Sequence, residues 1–191
     1  MPKRLAAIGA AVVLAVAGCS DSGDESATLV TPVPSVSAAD QLAEQPAASA
    51  GGACILWDYA FIEETIGIRF AVAASDQIDD TSTCVVQTTT AAWPDLSLSV
   101  VETTSANADV FLDTRMPAKA TKLTGLGRAA YRLNTKASAE HGPTVEIGWL
   151  SEAKQLQTVR FTFAKGASAA DVKSMNTKLL SLAKGLSTTN G

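Results

Sequence analysis

Near the C-terminus, Ala169, Val172, Met175, Leu179, Leu182, Ala183 and Leu186 fall on one stripe at a helical period. This pattern restricts the fold more than any other in the chain, because a helix apolar along one side is stable only when that side lies on another layer. Ser168 and Asp171 at its head resemble a capping box. The layer beneath is read from upstream segments with a period of two. Residues 83–89 carry Cys84 and Val86, and Leu96, Leu98 and Val100 alternate with polar residues, so the two read as a hairpin joined through 91–95. A short strand entered through glycines covers 129–133. Val145, Ile147 and Trp149 mark the next strand, and Val159, Phe161 and Phe163 the last, with Leu156 out of step and predicting a bulge or a start near Gln157. Ile55, Leu56, Tyr59, Ile62 and Ile66 predict one helix stopping at Gly67, and 105–115 predicts a second. The order is helix, two strands, helix, three strands, helix. Runs of strands joined by short turns give an α+β fold, an antiparallel sheet of about five strands with flanking helices.

The N-terminus reads differently. Lys3 and Arg4 precede an apolar run from Leu5 to Ala17, followed by Gly18 and Cys19. A charged start, a short apolar stretch and small residues before a cut site make an export signal over 1–18, too short to span a bilayer. Val16-Ala17-Gly18-Cys19 is similar to the bacterial lipobox, in which the cysteine is acylated and becomes the first residue of the mature chain. Several acyl chains on Cys19 would hold the protein to the outer, extracytoplasmic face of the cell membrane, because one chain alone gives only marginal binding. Residues 19–52 are rich in Ser, Ala, Thr, Pro and acids with no basic residue, so they are expected to form a disordered tether before a single domain at 53–191. The chain's net charge is −4, and removal of Lys3 and Arg4 with the signal makes the mature protein more acidic. With no polybasic cluster, neither nucleic acid nor electrostatic docking on headgroups is an expected partner.

With Cys19 lipidated, Cys54 and Cys84 remain as an even pair in an oxidising compartment, which reads as a disulfide. A free catalytic thiol or a metal site is the alternative. Donors for either are scarce, since neither cysteine has a CxxC neighbour and His141 is the only histidine. His141 itself lies in the turn-like Glu140-His141-Gly142-Pro143, where a solvated loop is expected. No GxSxG elbow is present. Glu63-Glu64 and Asp76, Asp79 and Asp80 lack the spacing of a calcium loop. Gly125-x-Gly127 without a third glycine points to backbone geometry and not to phosphate binding. No cofactor, metal or catalytic residue is therefore assigned. Trp57, off the apolar phase of its helix, and Trp93, ahead of Pro94, are the candidates for lining a ligand groove.

Cys54 leading an apolar helix that ends in Gly67, Cys84 at the start of a strand, the turn at 125–131 and the terminal amphipathic helix together resemble small actinobacterial, chiefly mycobacterial, lipoproteins of uncharacterised function. Their modules are similar to extracytoplasmic sensor-like domains. The resemblance implies that a Cys54–Cys84 disulfide ties the first helix to the sheet, and it carries over no catalytic residue. The expectation is a membrane-anchored, non-catalytic binding or accessory module of the cell envelope, taking an envelope protein or a small apolar ligand. An envelope hydrolase with an unrecognised site is the alternative.

Overall fold

A computed structural model of the chain describes residues 46–103 and 105–189. The signal at 1–18, Cys19 and the tether as far as residue 45 lie outside the described residues. Folded structure begins earlier than residue 53. Two short 3-10 turns, Ala47–Ala50 and Gly52–Leu56, come first. Ala47 is only 1% exposed, the Ala53 N–H donates to Ser82 Oγ at 2.8 Å, and Ser75 Oγ donates to the Ala50 carbonyl. Alanine and glycine read as a spacer by composition, yet their small size is what lets these turns lie close against the sheet.

The single helix expected over 55–66 is broken at Trp57 and Asp58. Asp58 is the N-cap of α1 (Tyr59–Ile66) and accepts from the Ala60 and Phe61 N–H groups at 2.8 and 3.4 Å. Gly67 ends α1 in the left-handed region at φ 80°. Lys178 Nζ reaches the open Ile66 carbonyl at 2.7 Å, which ties the end of α1 to the terminal helix.

Seven strands form the sheet, two more than the alternation indicates: β1 (Val72–Ile78), β2 (Thr81–Gln87), β3 (Asp95–Val101), β4 (Thr121–Leu123), β5 (Ala129–Thr135), β6 (Thr144–Leu150) and β7 (Leu156–Thr162). All pairs are antiparallel, in the order β1-β2-β3-β7-β6-β5-β4. Two meanders thus meet at β3 and β7. The unexpected strands lie at the sheet's two edges. β1 is exposed along nearly its whole length, with Ile78 65% accessible, so no buried face imposes an alternation on it. β4 has only three residues. Of the two expectations at Gln157, a bulge or a strand start, the second holds: β7 begins at Leu156 and runs without a bulge. Leu156 pairs in register with Val101 and Leu150 and faces the opposite side of the sheet from Val159 and Phe161, where a second small core receives it.

On the inner face Cys84 and Val86, then Leu96, Leu98 and Val100, then Val159 and Phe161, then Val145, Ile147 and Trp149 form one continuous apolar surface. The terminal helix α3 (Ala169–Thr189) lays Met175, Leu179, Leu182, Ala183 and Leu186 on it, and Ile62 and Ile66 of α1 pack into the same core. Cys54 and Cys84 are disulfide-bonded, fully buried, with Cα atoms 4.9 Å apart. The bond joins the turn ahead of α1 to the middle of β2. On the outer face α2 (Ala108–Thr114), capped by Asn107 Oδ1, covers the β5 side with Phe111, which packs on Ala129, Tyr131 and Leu150. Among the described residues no helix is long and apolar enough to cross a membrane.

Candidate functional site

Helix α3 rests on β6 and β7 and leaves the neighbouring strand β5 open along one flank. Spacings of three and four residues put Ala169, Val172, Lys173, Asn176 and Thr177 on that flank. On β5, the side chains facing α3 are Ala130, Arg132 and Asn134, paired across to Trp149, Ile147 and Val145. Ala130 sits in the core, but Arg132 and Asn134 lie beyond the apolar stripe of α3, and the strand turns polar there. The result is an open groove of about 430 Å³ lined by Arg132 and Asn134 on one side and these α3 residues on the other. Its volume falls in the range of small-molecule sites, roughly 300–1,000 Å³.

The groove holds two cations and no carboxylate, on a chain whose net charge is −4. Among the described residues, the side chains of Arg132 and Lys173 have no ion-pair or hydrogen-bond partner. The nearest acid in sequence, Asp171, is committed elsewhere: it accepts from the backbone and hydroxyl of Ser168, both at 2.8 Å, and these bonds hold its carboxyl below the usual range. Asn176 is 8% exposed. Its Nδ2 donates to the Val172 carbonyl at 2.8 Å, while its Oδ1, shielded from solvent in the groove wall, has no donor among the described residues. An orphaned buried acceptor of this kind costs about 1–3 kcal/mol.

A second polar cluster occupies the outer face. Glu146, nearly buried, accepts from Tyr131 Oη at 3.0 Å and from Arg160 Nε and a terminal guanidinium nitrogen at 2.9 and 2.7 Å. Burial, with the Glu146 charge added, pushes the Tyr131 hydroxyl well above its ordinary value, so it remains a hydrogen-bond donor. Burial also raises the Asp95 carboxyl, against the opposing effects of a Thr162 hydrogen bond and the Arg160 and His141 charges. With Tyr131 and Arg160 both donating to Glu146 from the strands on either side of it, the cluster reads as a brace across β5, β6 and β7.

The tryptophans take different places. Trp57 is 3% exposed in the core, with no partner for its indole N–H among the described residues, and it is not part of the α3–β5 groove. Trp93 is half-buried, its ring 5.0 Å from that of His141. His141 is itself half-buried, not in an open loop, and its Nδ1 lies 2.6 Å from the Gly142 carbonyl. Gly127 takes a positive φ of 52°, and a Cβ there would run into the Leu150 carbonyl, so it serves the close approach of the turn to β6. Arg132, Lys173 and Asn176 were not singled out by the sequence patterns. Their signal is the polar pair Arg132 and Asn134 continuing the core-facing phase of Ala130. No protein-family model, curated protein or solved structure matches this chain.

Proposed function

We propose that this chain is a lipid-anchored, extracytoplasmic binding module of the cell envelope whose ligand sits in the groove between α3 and β5. The observation that carries this reading is the meeting in one groove of two cations, Arg132 and Lys173, with no carboxylate in its lining. Two cations facing one groove lined by no carboxylate raise its local potential and favour an anionic occupant. The same inventory weighs against an envelope hydrolase, since the groove's titratable side chains are both cations and supply no general base or nucleophile pair. Its polar lining also favours a hydrophilic ligand over the small apolar one expected from the tryptophans.

Two experiments test the reading. Chain recovered from the envelope of the source cells retains a small-molecule adduct in native mass spectrometry, and Val172→Trp, which fills the groove, loses it. A wild-type chain without any adduct overturns the groove as a site. For the anchor, Cys19→Ala abolishes incorporation of labelled palmitate and releases the protein from the membrane fraction; a variant that stays labelled and membrane-bound removes Cys19 as the lipidated residue.

A further inference from the structure

We infer that the groove takes a hydroxylated oxyanion, a free sugar or polyol bearing one carboxylate or phosphate; the inference rests on the groove being the ligand site. Arg132 projects from the strand side and Lys173 from the helix side, so an anion between them is held from both. The arginine fork fits two oxygens of a carboxylate or phosphate at once, whereas lysine contributes a single charge from a flexible stem. These features select the charge.

The rest of the ligand follows from what else lines the groove. Space of about 430 Å³ far exceeds one bare anion. Beyond the cations, the lining offers the Asn134 amide and the Thr177 hydroxyl, with Asn176, whose own amide is turned to Val172 and shielded from solvent, and two small apolar residues, Ala169 and Val172, completing the wall. An amide and a hydroxyl exchange hydrogen bonds with hydroxyl groups. They offer little to a hydrocarbon tail, which would need a mostly apolar wall. No aromatic ring lines the groove, so a stacked nucleobase has no platform. A compact polyhydroxy anion satisfies both halves of the lining.

The test is calorimetric titration of the full chain with glucose 6-phosphate, glucuronate, glucose and inorganic phosphate. At least one of the two anionic sugars binds, glucose is weaker by about tenfold or more, and inorganic phosphate is also weaker because it leaves the amide side of the groove unfilled. Arg132→Gln and Lys173→Gln, both in solvent-accessible side chains, each weaken the anionic sugar by about tenfold with unchanged melting temperature. Glucose binding as tightly as its phosphate, or an unchanged affinity in the Arg132→Gln/Lys173→Gln double variant, overturns the oxyanion assignment. The groove survives that result if Val172→Trp still abolishes binding. If none of the four probes binds while the envelope adduct is present and sensitive to Val172→Trp, the ligand class is wrong and the site stands. Absence of both binding and adduct removes the site as well.

Discussion

Replacing Cys54 and Cys84 together by alanine lowers the stability of the domain by about 3–4 kcal/mol and its melting temperature by about 10 °C. The bond closes a loop of sequence separation 30, and a cross-link of that span removes much of the freedom of the unfolded chain. Its position adds to the effect. Both residues are fully buried in the main core, Cys84 pairs with Leu98 in the sheet, and Cys54 follows Ala53, whose N–H donates to Ser82 Oγ. Without the bond, the turns over 47–56 depend on small side chains and a few hydrogen bonds to stay on β1 and β2. Thermal melting of the double variant beside the wild type, with and without reductant, checks the expectation. Equal melting temperatures would show that packing alone holds the turns.

Trp149→Ala costs about 3–5 kcal/mol, whereas Trp149→Phe costs far less than its lost volume suggests. Trp149 is fully buried on the inner face of β6, paired between Ala130 and Gln157. Truncation to alanine opens a cavity bounded by strands on both sides, which cannot collapse to fill it. Phenylalanine keeps most of the contact and also removes an indole N–H that is buried without an acceptor among the described residues. Relief of about 1–3 kcal/mol offsets the smaller ring. Urea unfolding of both variants separates the two contributions; equal losses would mean that the N–H is satisfied and the argument from its isolation fails.

Burial on the inner face writes a period of two into β3 and β7, and β6, though buried on both faces, was legible because only its inner-facing Val145, Ile147 and Trp149 belong to the main apolar core. β1 was not, since an edge strand covered only by the small residues of the 47–56 turns and otherwise exposed accepts Ala, Ser, Asp and Gln without any preferred phase. Trp57 fell off the helical phase for a simple reason: it is not helical. It closes the preceding 3-10 turn in an extended conformation, and this geometry turns its ring into the core. The groove was hidden for a different cause. Lys173 and Asn176 look like the solvated flank of an amphipathic helix, and only the placement of α3 over β6 and β7, leaving β5 uncovered, brings Arg132 beside them.

The meeting of the two meanders at β3 and β7 has a kinetic consequence. Every other neighbouring pair of strands is consecutive in sequence, but Leu96, Leu98 and Val100 must wait for Phe161, Val159 and Gln157, far along the chain. Until β7 arrives, β3 is a bare edge with an apolar side. Closing that long loop carries the largest entropic cost of any strand pairing in the sheet, while α3, which follows β7 directly, can dock only on a sheet already joined. Local hairpins therefore form early, and the β3 to β7 seam sets the rate at which the whole inner face, and with it the floor under α3, comes into being.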